Sequence, residues 1–317
     1  MLFDIRIRPL LFGLASRVPG MTTLFRRGTG GTSSARYCYS VWLRHLVSGY
    51  QAGITSLPRS VGELGPGDSL GTGFAALLSG AERYYAFDVV RHAAHHDNLA
   101  IYDELVQLFA ERSDIPDNVE FPSVRPLLAN YEFPSQLLTE AHLEKALAPE
   151  RVAAIRTAIT SMSDAAGPVQ YVAPWLDGSL VRAADVDMIF SQAVLEHVDE
   201  LEQAYEVMRA WLRPTGHMSH TIDFCSHGIT KSWSGHWAQS DLLWKILRGR
   251  KAYMINREPH STHVRLLEKN GFSLLSDICY EKAQSTPRKS LAPRFTHALD
   301  SDLITSEAYI VARPASP

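Results

Sequence analysis

The sequence predicts an α/β doubly wound sheet, and three observations carry that expectation. Short apolar runs of strand length alternate with stretches of helical period from residue 58 to about residue 312. A glycine-rich turn, Gly65-Pro66-Gly67-Asp68-Ser69-Leu70-Gly71-Thr72-Gly73, parts the first strand from the first helix of that series. The next strand, Arg83 to Phe87, ends in Asp88, about 20 residues after the turn. Strands joined by helical crossovers make parallel sheets with ligands at the carboxyl ends of the strands.

Composition narrows the class. The chain has 317 residues and 45% hydrophobic content, enough for a sizeable core. A net charge of -3 gives no electrostatic footprint for nucleic acid. Cys38, Cys225 and Cys279 are sparse and lack metal spacing, which suits a reducing cytoplasm. No stretch approaches the ~20 apolar residues of a membrane span. Met1 to Ser16 has arginines beside a short apolar run, too short for a signal peptide; it reads as an ordinary packed segment, with a weak membrane-surface contact as the alternative.

In chain order, residues 1–57 read as an N-terminal helical cap or lid, and residues 58–317 as the Rossmann-like domain. Within the cap, Ala35 to Val47 has helical period, with Tyr39, Trp42, Leu43 and Leu46 on one face. It either packs on the sheet or closes over a ligand, with Tyr37 or Arg36 reaching the site. Val61 to Leu64 is the first strand. His92, His95 and His96 could share a helical face, a formally metal-like spacing that a solvent-facing helix start also explains. A helix follows from Leu99 to Arg112. Residues 113–168 form a helical insertion, with helices expected over Pro134–Ala148 and Pro149–Met162. Strands follow at Val169–Ala173, Asp185–Ser191, His217–Ile222, Phe272–Ile278 and Ala308–Ala312. A helix is expected over Leu195–Leu212, closed by Arg213-Pro214-Thr215-Gly216, and another over Val264–Lys269.

The dinucleotide fingerprint fails at one place. Gly65 and Gly67 fit G-x-G-x-x-G, but Leu70 holds the third position and Glu63 is foreign to it. The ordered set Glu63-x-Gly65-x-Gly67, Asp88, Asp187-Met188-Ile189-Phe190-Ser191-Gln192-Ala193-Val194-Leu195-Glu196-His197-Val198, Leu212-Arg213-Pro214-Thr215-Gly216 and Asn270-Gly271-Phe272 resembles class I S-adenosylmethionine-dependent methyltransferases. Thr215 stands where that family usually has glycine. The resemblance runs from about residue 58 to 312. It implies a seven-stranded sheet with the last strand antiparallel and S-adenosylmethionine as cofactor. It places Glu63, Gly65, Pro66 and Gly67 on the methionine side, Asp88 and Val89 at the ribose, Pro174 and Trp175 at the adenine, and Ser191 and Gln192 near the sulfonium. The usual adenine-side acid is missing, so Trp175 either stacks, leaves the contact to backbone, or is core. His220-Thr221-Ile222-Asp223 with Ser226-His227 and Asn256-Arg257 resembles a bacterial subgroup that accompanies cell-surface polysaccharide biosynthesis, which suggests a sugar hydroxyl as acceptor.

Methyl transfer to an alcohol needs alignment and a base near neutral pKa, a role that suits histidine. His227 and His236, then His197, are the base candidates, with Asp223 beside them at the end of the fifth strand. Trp233 and Trp237 could stack on a sugar or anchor the fold. Tyr37, Asn256, Arg257, His260 and His263 are substrate-contact candidates. No metal set is assigned; His220, Asp223 and His227 come nearest to one. The leading expectation is a methyltransferase on a sugar or glycan precursor. A methyltransferase on another small metabolite, a non-catalytic cofactor-binding protein and an NAD-dependent oxidoreductase are the rivals.

Overall fold

The computed structural model describes residues 4–17, 31–89, 93, 95–161, 167–177, 179, 181–251 and 254–315, with backbone alone at 95–97 and 161. His92 lies outside them, as do the side chains of His95 and His96, so the metal-like face is not described.

The elements run α1 (Ile7–Ala15), α2 (Ala35–Gln51), β1 (Ser60–Leu64), α3 (Gly71–Leu78), β2 (Arg83–Phe87), α4 (His95–Ala110), α5 (Glu140–Ala146), α6 (Pro149–Ser161), β3 (Val169–Val172), β4 (Val186–Gln192), α7 (Leu201–Trp211), β5 (Leu212–Asp223), α8 (Asp241–Arg248), α9 (His260–Lys269), β6 (Phe272–Glu281) and β7 (Thr305–Pro314). The sheet has seven strands in the order β3-β2-β1-β4-β5-β7-β6. The pairs from β3 to β5 are parallel, and β7 runs antiparallel to β5 and β6. This is the Rossmann-like sheet that the resemblance implies. Its order reverses between β1 and β4, where α/β sheets open a crevice at their carboxyl ends.

Two apolar layers cover the sheet. On one face, Val61, Met188 and Phe190 pack under α2, α3, α4 and the 113–161 segment. On the other, Leu64, Phe87 and Ile189 pack with Trp175, α7 and Phe272. Gly62 leaves room for this second layer, since a Cβ there would stand 2.9 Å from the Phe87 ring.

Several expectations change. In α2, 13 of 17 residues are buried, and Trp42 meets Phe190 at 5.7 Å. This helix is therefore a core layer, not a cover resting on the site. The expected helix over Leu195–Leu212 breaks into a 3-10 turn (Leu195–His197) and α7, and β5 begins directly at Leu212. Gly216 allows that close passage, because a Cβ would meet the Asp187 carbonyl at 2.9 Å. Pro134–Ala148 shortens to α5, which Thr139 caps. Two helices had no clear signal. One is α8, capped by Ser240. The other is α1, whose Gly13 presses on the α8 carbonyls and whose Ile7, Leu11 and Leu14 face outward. Among the described residues, no helix is long and apolar enough to cross a membrane.

The insertion is stitched to α2 by one buried cation. Arg44 is 0% exposed. It donates to the Val124 and Pro116 carbonyls at 2.7 and 2.9 Å and lies 5.0 Å over Tyr131. Backbone carbonyls and a ring face stand in for a carboxylate.

Candidate active site

The glycine turn is shaped by its neighbours. Gly65 and Gly67 have φ of +62° and +79°, a region where a Cβ is strained. Gly73 is glycine for a different reason: a Cβ would fall 1.9 Å from the Tyr84 ring. That space lets the Tyr84 hydroxyl reach Glu63, donating to Oε2 at 2.5 Å. Glu63 is 3% exposed. Burial pushes its carboxyl up to about 8, against the pull of the Tyr84 and Thr72 hydroxyls.

Four amide donors leading into α3 are already taken. Thr32 Oγ1 accepts from the Asp68 and Ser69 amides at 2.9 and 3.3 Å. Asn98 Oδ1 accepts from Leu70 N at 2.8 Å, and Ser69 Oγ from Gly71 N at 3.1 Å. The segment leading into α3 is thus held from within the chain, and of the α3 amides Gly71 N is the one bound this way. Tyr37 stands beside the turn, its ring edge-on to Phe121 at 5.5 Å. Burial, with the charges of Cys38 and Glu63 nearby, pushes its phenol up to about 12.

At the end of β2, Asp88 is 6% exposed and Oδ1 accepts from Val89 N at 2.7 Å, while the Val89 side chain faces outward. Tyr171 OH approaches Asp88 Oδ2 at 3.4 Å. After β3, Ala173–Pro174 is a cis peptide and Pro174 is exposed. Trp175 is core: 2% exposed, with its ring 6.3 Å from Trp211. The stacking expectation is corrected, because the ring has no face to offer a ligand.

At the end of β4, Ser191 Oγ pairs with His220 Nδ1 at 2.8 Å. Gln192 Oε1 accepts from His45 Nε2 at 3.2 Å. The other His45 nitrogen therefore accepts from Ser219 Oγ at 2.6 Å, and Ser219 meets Tyr309 OH at 2.8 Å. Burial holds His45 down to about 4, so this chain is neutral and fixes Gln192 from behind.

Beyond β5 the turn carries His227 at φ +49°. Its Nε2 lies 3.1 Å from Asp223 Oδ2, and its ring stands 5.0 Å from His197. Burial would raise the Asp223 carboxyl, but His227 and the Cys225 amide outweigh it and hold it down to about 2. The insertion closes this end. Arg125 pairs with Glu307 at 3.1 Å, covers the Tyr280 ring at 4.8 Å, and its carbonyl accepts from Thr221 Oγ1 at 3.3 Å.

Other expected site residues lie elsewhere. His236 is 1% exposed against Trp237, and burial beside Arg257 pushes it down to about 3. Trp237 is 2% exposed and donates to the Arg257 carbonyl at 2.9 Å. The Arg257 side chain is 2% exposed, pairs with Asp241, and lies 4.7 Å over Trp244. These three are core residues, which corrects the expectation that they meet ligand. Trp233 is half-buried and donates to the Ala283 carbonyl at 2.9 Å. Asn256 Nδ2 donates to the Leu195 and Val198 carbonyls, both at 2.8 Å, so it braces the turn that carries His197.

Sequence reasoning passed over Glu196. It is 3% exposed, and among the described residues neither carboxyl oxygen has a hydrogen-bond partner. Burial and the nearby Asp223 hold it well above the carboxylate range; the Glu196 and Asp223 amides pull the other way without reaching hydrogen-bonding geometry. Its place beside His197 in Leu195-Glu196-His197 was the available signal. Among the described residues, two groups bring donor atoms within 4.8 Å of one another: Glu196, His197 and His227, and His260, Asp277 and Cys279.

No protein-family model and no curated protein sequence matches this chain. Solved structures do. A protein described as an S-adenosylmethionine-dependent methyltransferase from Listeria monocytogenes is 12% identical over 88% of this chain and 99% of its own, at a TM-score of 0.42. A protein described as a sarcosine dimethylglycine methyltransferase from Galdieria sulphuraria gives 10% identity over 86% and 85%, at 0.44. Phosphoethanolamine N-methyltransferase 2 of Haemonchus contortus, with S-adenosyl-L-methionine, gives 14% over 87% and 53%, at 0.41. At such distances the fold is read from the sheet order itself.

Proposed function

We propose that the chain is an S-adenosylmethionine-dependent methyltransferase that acts on a hydroxyl, of a sugar or glycan precursor. The observation that carries the cofactor class is the capped turn. A dinucleotide needs free amides at the start of α3 for its pyrophosphate. Here Thr32, Asn98 and Ser69 take the Asp68, Ser69, Leu70 and Gly71 amides, the run that leads into α3 and its first amide. A sulfonium amino-acid cofactor has no pyrophosphate to seat. Gly65 and Gly67 leave its methionine portion close backbone approach, and Asp88 is a buried acceptor at the end of β2 for two ribose hydroxyls. Glu63, beside the turn, is a proton-bearing carboxyl that would ionise next to an ammonium group.

The cofactor supplies an electrophilic methyl group, and the chain supplies alignment and a proton acceptor. His227 would accept the proton of an acceptor hydroxyl aligned with that methyl group. Asp223 stabilises the resulting imidazolium from 3.1 Å. Glu196, held neutral, leaves Asp223 as the charged partner. Arg125 and Gln192 frame the approach of the acceptor, and Trp233 and Asn256 stay at its margin.

Calorimetric titration with S-adenosylhomocysteine, run beside NAD, tests this. Binding of the former alone is expected. Binding of NAD, or of neither, overturns the cofactor assignment; a screen of sugar acceptors then decides the finer reading.

A further inference from the structure

The second donor group stands apart from the cofactor side, on the edge strand β6. We propose that His260, Asp277 and Cys279 form a binding site for a divalent transition-metal ion of the zinc type. Asp277 and Cys279 are two residues apart on one strand, so they share a face. His260 is the first residue of α9, and that helix start sets its ring onto the same face. One nitrogen, Nε2, lies 2.9 Å from Asp277 Oδ1 and 3.7 Å from Cys279 Sγ, and the sulfur is 4.0 Å from the same oxygen.

Those three edges suit one ion. Tetrahedral ligands at about 2.0–2.3 Å from zinc stand roughly 3.3–3.8 Å from one another. The observed edges of 2.9, 3.7 and 4.0 Å lie close to that range, one short of it and one just beyond it. A plain histidine–aspartate pair explains the shortest edge, but it gives no reason for a thiol facing the same nitrogen. Imidazole, carboxylate and thiolate together select zinc-type ions over magnesium or calcium. Cys279 is exposed, which leaves the fourth corner to water. Phe224 walls the inner side, its ring 6.1 Å from His260. Phe224 also follows Asp223 in the chain, so an ion here would clip α9 to the edge strand directly behind the proposed acceptor end.

Cobalt titration of the full chain tests the site, with no cofactor present. The expected result is a thiolate-to-cobalt charge-transfer band that zinc abolishes on displacing cobalt. Cys279→Ser should remove that band and weaken zinc binding by at least about tenfold, since even outer partners of a metal ligand are worth that much. Asp277→Asn should weaken zinc while keeping the band, and Cys225→Ser should change neither. No thiolate band in the unaltered protein, or a band that survives Cys279→Ser, overturns the proposal. If Cys279→Ser does not fold, Asp277→Asn decides: zinc affinity equal to that of the unaltered chain also overturns it.

Discussion

Glu63 and Glu196 are both fully buried carboxyls near the carboxyl ends of the neighbouring strands β1 and β4, and both hold their protons above the usual range. Their surroundings differ. Glu63 accepts a hydrogen bond from Tyr84, whose ring fits because Gly73 has no side chain. Among the described residues Glu196 has no partner at hydrogen-bonding geometry, and it sits within reach of two imidazoles. A satisfied buried acid can belong to the fold alone. An unsatisfied one is destabilising by about 1–3 kcal/mol and persists where something else requires it. On the proposed function, the difference separates a cofactor half that is finished as folded from an acceptor half that is left open.

The acceptor half should show the largest effect. His227→Ala is expected to lower kcat by about 10²–10⁴-fold, the usual worth of a positioned base. Affinity for S-adenosylhomocysteine should hold, because His227 belongs to the other half. Normal turnover would remove the dyad from the mechanism. A parallel loss of cofactor affinity would erase the division into halves.

Next is the pH dependence of stability. Both glutamates bind a proton more tightly folded than unfolded. Their contribution is full below about pH 4.5, the ordinary value, and is lost as pH rises. For Glu63 the loss completes near its folded value of about 8 and amounts to roughly 4–5 kcal/mol. Glu63→Gln should therefore flatten part of the fall in denaturant midpoint between those pH values, and Glu196→Gln a further part. A wild-type midpoint that does not fall over this window would mean that both acids ionise in place.

The unit proposed for the cofactor, β1, the glycine turn, α3 and β2, was legible in the sequence. Glu63, Gly65, Gly67 and Asp88 follow one another in a fixed strand–turn–helix–strand unit, and local chemistry places such residues without knowledge of the rest. The end proposed for the acceptor was less legible because it is built from distant pieces. Asn256 braces a turn some sixty residues upstream, and Arg125 reaches across to Glu307. Arg257 and Trp237 read as binding residues by type, yet they are partners in the core. Residue type alone cannot tell a buried cation over an aromatic ring from a ligand contact. Arg257→Lys should accordingly lower Tm and leave the acceptor KM unchanged. A raised KM at unchanged Tm would return Arg257 to the site.

Asp88→Ala should weaken S-adenosylhomocysteine binding by about 10–100-fold, the worth of one or two hydrogen bonds to a charged group. Unchanged affinity would sink the ribose role, while Glu63 and the turn would keep theirs.

The smallest effect is the most discriminating. Thr32→Val removes a cap from the Asp68 and Ser69 amides while keeping the shape of the side chain. Loss of such a cap is worth about 1 kcal/mol, so a modest fall in stability is expected. If Thr32 only closes an anion site that the cofactor never uses, affinity for S-adenosylhomocysteine should stay as it was. If that affinity collapses, Thr32 is itself a cofactor contact, and the capped turn no longer distinguishes a sulfonium cofactor from a dinucleotide. The cofactor half would then be as unfinished as the acceptor half, and the contrast between Glu63 and Glu196 would need another cause.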